Sequence, residues 1–350
     1  MSGGWMIYGA YGYSGELIAR EAVRRGMRPT LAGRDEAKVA ALARELGLPH
    51  RAFGLDEPGR VAEGVAGMSL VLNCAGPFSS TARPMMDACI ATGAHYLDIT
   101  GEIAVFELAH ALDERAKARG VALCPGVGFD VVPTDCLAMA LKAACPGAVR
   151  LALGFDSRGR MSPGTAKTSV EGLASGGAVR RAGVIERVPL AWHTRRIDFG
   201  DGEKLAVTIP WGDVSTAFHT TGIPDIEVYI PASPALVKRM KRLNLVRPLL
   251  GLGPVQRFMK RRIEKSVRGP DEAQRAKAPT FVWGEAEAAD GTVVTGRVRV
   301  ANGYDVTVSA SVAIAAHLLA NPAAGHLTPA RLMGQSFVTT LPGSGPVEVG

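Results

Sequence analysis

The most specific residue spacing lies near the N-terminus, in a turn that reads Tyr8-Gly9-Ala10-Tyr11-Gly12-Tyr13-Ser14-Gly15. An apolar run precedes the turn and a helical pattern follows it, so the glycines join a strand to a helix. Glycine permits a tight turn at the first position, a close approach of backbone to a diphosphate at the second, and helix packing at the third. Free N–H groups and the dipole at the helix N-terminus favour negative charge. The sequence therefore predicts a dinucleotide site formed by Gly9, Tyr11, Gly12, Tyr13, Ser14 and Gly15.

The end of the next apolar run distinguishes between two dinucleotides, because an NAD site usually places Asp or Glu there to bind the ribose 2′-hydroxyl. This sequence has Arg34 at that position, followed by Asp35 and, one helical turn later, Lys38. A guanidinium can pair with a 2′-phosphate through two hydrogen bonds, and Lys38 can add a second cation. Asp35 is predicted to cap the following helix and does not compete with this role. The expected cofactor is NADP(H).

A further turn of small residues, Ala75-Gly76-Pro77, follows another buried apolar run. Ligands of open α/β sheets bind at the carboxyl ends of the strands, where small residues let backbone lie against the nicotinamide ribose. Pro77 fixes the turn and removes a hydrogen-bond donor. We therefore assign these three residues to the cofactor site, with an ordinary strand-to-helix turn as the alternative.

Hydride transfer also requires a proton donor, for which the sequence offers Asp130, Lys167, His219 and Tyr304. We predict the first three as catalytic residues. Each has a structural alternative: a helix cap for Asp130, a surface lysine for Lys167 and a structural histidine for His219. The sequence contains no Tyr-x-x-x-Lys pair, no nucleophile elbow and no metal-ligand spacing. Hydrolase and metalloenzyme functions therefore have no support, and no metal is expected.

The elements that position these residues alternate regularly over the first 130 residues. Short apolar runs separated by helical patterns are the predicted strands: Trp5–Ala10, Arg28–Ala32, Arg51–Leu55, Ser69–Cys74, His95–Ile99 and Gly120–Cys124. This alternation indicates βαβ units. Residues 1–130 are therefore expected to form a Rossmann-type, doubly wound parallel sheet of the α/β class.

The remainder of the chain lacks this alternation. Residues 131–304 are expected to form an α+β domain around an antiparallel or mixed sheet, with a hairpin turn at Asp290-Gly291. Residues 305–350 are expected to supply an apolar helix, Asp305–Leu319, and a surface strap that pack back on the first domain. Nothing approaches 18 consecutive apolar residues, so the sequence predicts no membrane-spanning helix.

The positive charge of the chain is concentrated in one segment. The net charge is +7, yet residues 238–268 alone contribute +10 from eleven basic residues and one acidic residue. Apolar residues at helical spacing accompany these charges, with Leu243, Val246, Leu249 and Leu250 predicted on one face and Pro248 predicted to interrupt the helix. Such a segment binds an anionic membrane surface or an acidic carrier protein, or simply covers the second domain. Aromatic residues are only 6% of the chain, which argues against nucleic-acid binding.

The five cysteines contain no CxxC pair, and the N-terminus lacks the basic and apolar regions of a signal peptide. These features predict reduced thiols and a cytoplasmic location, peripheral at a membrane if segment 238–268 binds lipid. A small-molecule or acyl substrate is the expected partner, and a homodimer is left open.

Several stretches resemble the saccharopine dehydrogenase-like oxidoreductases. They are the glycine turn followed by Ala32-Gly33-Arg34, the run Asn73–Phe78, and the run Tyr96–Glu102. The stretch Pro125–Asp135 is similar to the family's crossover into its substrate domain. Its motif, Gly-Phe-Asp-x-Val-Pro-x-Asp, most resembles that of bacterial trans-acting enoyl reductases and departs from that of true saccharopine reductases. The resemblance implies NADPH-dependent reduction of a C=C or a C=N bond.

We therefore expect an NADPH-dependent oxidoreductase that reduces the C=C bond of a lipid-like or acyl (enoyl) substrate. The apolar second domain and the amphipathic segment favour that substrate class. Reduction of a C=N bond in an amino-acid adduct is the alternative, with Arg180, Arg181, Arg195 and Arg196 available for its carboxylates. A non-catalytic NADP(H) sensor or scaffold is a third hypothesis.

Overall fold

The chain divides into two compact units in the computed structural model. The structure describes residues 4–350 except 160, 161, 163, 165, 167–169, 171, 173, 267 and 268. The first unit consists of Met1–Asp130 and Tyr304–Leu332, and the second of Val131–Gly303 and Met333–Gly350. Each unit is therefore assembled from two separate stretches of sequence.

The first unit contains parallel strands and the helices that connect them. Its strands are β1 (Gly4–Tyr8), β2 (Thr30–Gly33), β3 (His50–Ala52), β4 (Met68–Asn73), β5 (His95–Asp98), β6 (Ala122–Cys124) and, later in the chain, β15 (Gly325–His326). Its helices are α1 (Tyr13–Arg24), α2 (Glu36–Leu46), α3 (Pro58–Val65), α4 (Phe78–Thr92), α5 (Ile103–Ala111), α6 (Asp113–Arg119), α12 (Gly303–Ala320) and α13 (Pro329–Met333). Gly303, the first residue of α12, still belongs to the second unit.

These strands form one seven-stranded sheet in the order β15-β6-β5-β4-β1-β2-β3, with every neighbouring pair parallel. The chain winds outward from β1 to β3, then crosses back to β4 on the other side of β1. This reversal places the carboxyl ends of β1 and β4 side by side, with Tyr8 paired to Asn73. Ligands of doubly wound sheets bind at such a reversal. The Rossmann-type fold predicted from the sequence is confirmed.

The second unit is built around a mixed sheet. Its strands are β7 (Ala148–Ser157), β8 (Gly177–Arg181), β9 (Val184–Val188), β10 (Thr194–Asp198), β11 (Glu203–Thr208), β12 (Asp225–Pro231), β13 (Thr280–Ala288), β14 (Val293–Val300) and β16 (Glu348–Val349). Its helices are α7 (Val132–Ala144), α8 (Asp213–Thr221), α9 (Pro234–Leu250), α10 (Gly253–Ser266) and α11 (Glu272–Ala276), with a 3₁₀ turn at Phe337–Thr340.

The main path of this sheet runs β10-β11-β12-β7-β13-β14-β16, with the β8–β9 hairpin attached to β12. Within this sheet, β12 and β7 are the parallel pair among the described strands and the other described pairs are antiparallel, so the predicted α+β domain with a mixed sheet is confirmed. Helix α7 lies against β13 and β14 where glycine replaces larger residues. A Cβ on Gly284 would lie 2.7 Å from Leu141, and one on Gly296 would lie 2.8 Å from Leu137. The hairpin turn expected at Asp290-Gly291 joins β13 to β14.

The C-terminal stretch differs from its prediction. The expectation that all of residues 305–350 pack on the first domain is wrong for residues 333–350, which belong to the second unit. The reason is strand pairing, since Gly296 and Arg297 of β14 pair with Val349 and Glu348. Backbone hydrogen bonds thus decide where this stretch lies.

Helix α12 meets, by length and composition alone, the requirements for crossing a membrane. Half of that stretch is buried inside the structure, and the core helix of a soluble protein meets the same requirements. Within the first unit, Ser311 Oγ of this helix donates to Val127 O at 3.3 Å, and Thr307 Oγ1 accepts from Phe129 N at 3.0 Å. These contacts favour the interpretation of α12 as a core helix.

Candidate active site

The glycine turn is held tightly against the ends of three strands. Gly9 has a φ of +79°, and its N–H donates to Ala32 O at 2.8 Å. A Cβ at this position would lie 2.8 Å from the backbone nitrogen of Ala75, in the turn that follows β4. Only glycine combines this backbone conformation with this close approach. The glycine turn and the turn Ala75-Gly76-Pro77, both predicted as cofactor segments, therefore lie together.

The other two glycines of the turn have different roles. A Cβ on Gly15 would lie 2.3 Å from Gly9 O, so the protein itself requires glycine there. At Gly12 the nearest atom outside the adjoining residues would be Gly9 O, at 3.2 Å. Helix α1 begins at Tyr13, with Gly12 as its N-cap. A glycine cap brings no side chain, so the positive end of α1 is accessible to an anion.

The residues after β2 form a cationic corner beside this turn. The Tyr11 ring packs on Gly33, where a Cβ would lie 2.6 Å from the ring. The Lys38 ammonium lies 5.6 Å from the centre of that ring and 2.9 Å from Asp35 Oδ2. Asp35 also caps α2, as predicted, by accepting from Lys38 N at 3.2 Å. The carboxylate is therefore engaged by its own helix, while the Arg34 side chain is exposed beside it.

The turn after β4 is organised by a buried amide. Asn73 is fully buried, and its Oδ1 accepts from Ala75 N at 3.0 Å while its Nδ2 donates to Thr81 Oγ1 at 3.2 Å. Thr81 in turn donates to Ala75 O at 2.6 Å. The Gly76–Pro77 peptide is cis, and α4 begins directly after it at Phe78. Both backbone polar groups of Ala75 are thus fixed.

Glu102 caps helix α4 from a distant position in the sequence. Its Oε1 accepts from Phe78 N at 2.9 Å, and its Oε2 accepts from Ser79 N at 2.7 Å. A carboxylate at a helix N-terminus is favoured by the free N–H groups and the dipole. The positive end of α4 is therefore occupied by the chain's own anion, in contrast to that of α1.

A second carboxyl group lies close to Glu102. Asp130 packs against Gly101, where a Cβ would lie 2.8 Å from Asp130 Oδ2. Burial, together with the negative charge of Glu102, raises the pKa of Asp130 to about 7. A carboxyl group with this pKa can donate or accept a proton near neutral pH.

Buried Asp98 holds the loops that bring these carboxyl groups together. Its Oδ1 accepts from Thr100 N at 3.0 Å and from Gly126 N at 2.9 Å, and its Oδ2 accepts from Tyr96 OH at 2.7 Å. Burial raises the pKa of Asp98 to about 6 despite these hydrogen bonds. Asp98 therefore connects the loop after β5 with the loop after β6, and the loop after β6 leads to Asp130.

Comparison with known proteins identifies a family that matches the first part of the chain. The family of the saccharopine dehydrogenase NADP binding domain matches residues 5–124. The family resemblance and the NADP(H) assignment made from the sequence are thereby confirmed for this domain.

The relatives match only part of this chain. The saccharopine dehydrogenase-like oxidoreductase of Mus musculus is 30% identical over 150 residues, which cover 37% of this chain and 35% of the relative. A protein of Mycobacterium tuberculosis that carries the name trans-acting enoyl reductase is 30% identical over 149 residues, covering 40% and 35%. The chain thus spans less than half the length of these relatives.

The fold of the whole chain has a solved counterpart. Apo saccharopine dehydrogenase (L-Glu forming) from Saccharomyces cerevisiae matches 99% of this chain and 100% of its own, with a TM-score of 0.67 and 11% identity. At this identity the match establishes the fold alone.

The residues of the NADP-binding domain fit its cofactor. Gly12 leaves room for a diphosphate at the uncapped start of α1, and Asp35 is engaged in capping rather than available for a ribose hydroxyl. Arg34 is the exposed cation next to that ribose position. Lys38 is near as predicted, but Asp35 and the Tyr11 ring already engage it, so Arg34 remains the better ligand for a 2′-phosphate.

The four proton-transfer candidates are not all placed by the structure. Tyr304 lies in the first unit, where its ring meets that of Tyr13 edge-on at 5.0 Å. His219 belongs to helix α8 of the second unit, with its ring 5.6 Å from that of Phe218. Lys167 lies outside the described residues. Asp130 lies in the first unit beside Gly101, with its pKa raised to about 7.

The predicted arginine cluster is partly assembled in the second unit. Arg180, Arg181 and Arg195 line a cavity of about 470 Å³, whereas Arg196 pairs with Glu203 outside that lining. Arg150 also lines this cavity, together with four carboxylates, those of Asp225, Glu227, Glu285 and Glu287. Acidic and basic groups are therefore balanced in this cavity.

The cavity arginines already have partners. Arg195 donates to both oxygens of Glu285, at 2.9 and 3.0 Å, and Arg180 donates to the carbonyl of Val214 at 2.8 Å. A substrate with several carboxylates would have to replace these partners. The cavity therefore gives little support to the amino-acid adduct.

Sequence reasoning missed the functional importance of Asn73, Asp98 and Glu102. All three are polar residues at or just after the end of an apolar run, which is the one signal that could have indicated them. Each of them also has a partner 8 to 28 residues away, and no local pattern identifies these distant contacts.

Proposed function

We propose that this protein is an NADPH-dependent oxidoreductase that reduces the C=C bond of a lipid-like or acyl (enoyl) substrate. The observation that carries the proposal is the joint presence of an NADP-binding domain and the carboxyl group of half-buried Asp130, whose pKa desolvation raises to about 7. When bound, NADPH supplies a hydride, and saturation of the C=C bond then requires one proton. Asp130 is the group proposed to supply it.

The chain's own residues account for binding and orientation. The start of α1 and Arg34 hold the two phosphate-bearing parts of the cofactor, and the fixed Ala75 backbone borders its reactive end. Burial raises the pKa of Asp130 and the negative charge of Glu102 raises it further, so that the Asp130 proton stays bound closer to neutral pH. Glu102 is therefore proposed as a positioning and tuning residue.

Two observations favour a C=C bond in a greasy substrate. The Mycobacterium tuberculosis relative is named for enoyl reduction, and the balanced cavity of the second unit does not select a polycarboxylate. Reduction of a C=N bond in an amino-acid adduct is kept as the alternative, because the cavity arginines and the yeast saccharopine dehydrogenase fold are compatible with it. A non-catalytic NADP(H) sensor is the third possibility.

Oxidation of NADPH separates these functions. Purified protein is supplied with α,β-unsaturated acyl thioesters of increasing chain length and, separately, with a 2-oxo acid plus an amino acid. We expect oxidation with the thioesters, faster as the chain lengthens. Turnover only with the imine-forming pair would support the alternative, and no turnover with either would support the sensor.

The pH dependence of that reaction tests Asp130. Because Asp130 must be protonated to act as an acid, kcat should fall as pH rises through about 7. Asp130→Asn should lower kcat by about 10²–10⁴-fold while NADPH binding is retained. Glu102→Gln should move the fall to lower pH, because the neighbouring negative charge is removed.

Glu63→Gln, an exposed substitution on α3, is the matched control and should leave the profile unchanged. An Asp130→Asn protein with the same kcat and the same profile as the wild type would contradict the assignment.

A further inference from the structure

Helices α9 and α10 present a surface that the chemistry above does not use. We define the basic leucine surface by its outward-facing residues: Lys238, Lys241, Arg242, Leu245, Leu249, Leu252, Arg257, Phe258, Arg261 and Arg262. Its apolar members are among the most exposed large side chains of the described residues, with Leu245 85%, Phe258 65%, Leu249 58% and Leu252 51% exposed. Large apolar side chains are rarely grouped in this way on the surface of a monomer unless they bind something.

The exposed leucines are not needed to hold α9 on the second unit. The opposite side of the helix does this, since Val237 and Met240 pack with Ala191, Val207 and Ala232. Farther along the helix, Asn244 accepts from Leu190 N at 2.8 Å and donates to Leu190 O at 3.1 Å. Packing on the rest of the second unit therefore explains one side of α9. It does not explain the exposed leucines on the other side.

The sequence prediction for this segment needs correction in two respects. Pro248 does not interrupt the helix, which ends instead at Leu250, just before Gly251. The predicted apolar face is also divided, because Leu243 and Leu250 are half-buried whereas Val246 and Leu249 are exposed. Packing against the second unit selects a different face from the one that apolar spacing indicates.

Helical geometry aligns the charges and leucines of α9. Residues three, four or seven positions apart share one side of a helix, so Lys238, Lys241, Arg242, Leu245 and Leu249 follow one line along it. Cations occupy the first half of this line, and leucines occupy the second half and continue to Leu252 in the connection. In α10, Arg261 and Arg262 lie one turn beyond Phe258 on the same side.

We propose that the basic leucine surface binds an anionic lipid membrane. In that setting, the leucines and Phe258 enter the boundary between headgroups and acyl chains, and the basic side chains contact the lipid phosphates. Charge complementarity supports a lipid surface, because the segment carries +10 while the remainder of the chain carries −3. Attachment is therefore local and oriented.

A membrane interface also accepts cations and apolar groups in the same layer, which neither a nucleic acid nor a purely acidic partner does. This proposal is independent of the proposed reaction. It adds a peripheral membrane location to the cytoplasmic location expected from the sequence.

Sedimentation with vesicles tests the proposal on the full-length protein. Vesicles of phosphatidylcholine alone are compared with vesicles of phosphatidylcholine and phosphatidylserine in a 7:3 ratio, each at low and high salt. The Debye length falls from about 10 Å at 0.1 M salt to about 3 Å at 1 M. We expect binding to the anionic vesicles at low salt, a steep loss at high salt, and little binding to the neutral vesicles.

Two variants test the basic and the apolar residues of the surface separately. The triple variant Lys238→Gln, Lys241→Gln, Arg242→Gln should weaken binding about a hundredfold, because each basic residue near an anionic surface contributes about fivefold. The double variant Leu245→Ser, Leu249→Ser should weaken it at least about tenfold, since the apolar contribution is lost without any change of charge.

The matched control is Arg24→Gln, Arg44→Gln, Arg119→Gln, which removes the same charge from exposed helix ends of the first unit. It should bind vesicles within about threefold of the wild type, because these residues lie outside the surface. NADPH affinity, unchanged in all variants, shows that each one is folded.

Three results would overturn the proposal. The first is equal binding to neutral and anionic vesicles. The second is a control variant that loses as much affinity as the charge variant, which would indicate net charge rather than a defined surface. The third is tight binding to an acidic carrier protein without any binding to vesicles.

Discussion

At the scale of single residues, the choice of cofactor depends on which of two neighbours is available. The acid that follows β2, Asp35, accepts from Lys38 N at 3.2 Å and lies 2.9 Å from the Lys38 ammonium. These interactions lower the pKa of Asp35, so it stays ionised and engaged in capping α2. We therefore expect Arg34 to be the residue that distinguishes a 2′-phosphate from a 2′-hydroxyl.

Replacement of Arg34 tests this distinction. We expect the wild type to bind NADPH at least about tenfold more tightly than NADH, because a charge-assisted bidentate pair contributes roughly 1.5–3 kcal/mol. Arg34→Asp should reverse the preference, since the new carboxylate repels the phosphate and can accept from a ribose hydroxyl. Fluorescence titration with both cofactors measures the ratio. Arg44→Asp, on the exposed far end of α2, is the control; equal affinities in the wild type would refute the role of Arg34.

At the scale of elements, the start of α1 shows how one glycine serves a ligand and another serves the fold. A Cβ on Gly15 collides with Gly9 O at 2.3 Å, whereas a Cβ on Gly12 meets that atom only at 3.2 Å. The helix therefore depends on Gly15 for its approach to the strand. The space beside Gly12 is the space that a diphosphate needs.

Substitutions at these two glycines should separate folding from binding. Gly12→Val should abolish the thermal stabilisation by NADPH while the melting temperature without cofactor stays near that of the wild type. Gly15→Ala should instead lower the free energy of unfolding by about 1–3 kcal/mol, because the close backbone contact must open. Thermal melts with and without NADPH measure both effects. A Gly12→Val protein that is still stabilised by NADPH would place the phosphates elsewhere.

At the scale of the whole molecule, the first unit is discontinuous in sequence. Residues 304–332 supply an edge strand, β15, which pairs with β6, and a helix that bonds to Val127 and Phe129. The N–H of His326 also donates to Asp113 Oδ1 at 2.6 Å. The first unit is therefore completed by residues 304–332, which follow the long stretch Val131–Gly303 of the second unit in the sequence.

A fragment that ends at residue 130 should accordingly fold poorly. We expect residues 1–130 alone to lack a cooperative thermal transition, because the contacts with residues 304–332 are missing. The same fragment joined by a short flexible linker to residues 304–332 should melt cooperatively and bind NADPH. The hydrogen bond of Phe129 N to Thr307 Oγ1 at 3.0 Å shows that a short linker suffices. An isolated 1–130 fragment as stable as the joined one would contradict this expectation.

The sequence by itself determined the features that rest on local patterns. Alternating apolar runs and helical segments predicted the doubly wound sheet, and the spacing of Gly9, Gly12 and Gly15 predicted the turn that opens α1. The capping role of Asp35 was also predictable, because it depends on residues within one helical turn. Local order is enough when strand, turn and helix follow one another directly in the chain.

Only the tertiary structure decided the features that depend on distant contacts. The pKa of Asp130 is raised by burial and by Glu102, which lies 28 positions earlier in the sequence. The strand pairing of residues 348 and 349 with β14 moved the C-terminus to the second unit, and packing chose which side of α9 exposes its leucines. Burial, desolvation and strand pairing are set by residues that meet only after folding, so no local spacing specifies them.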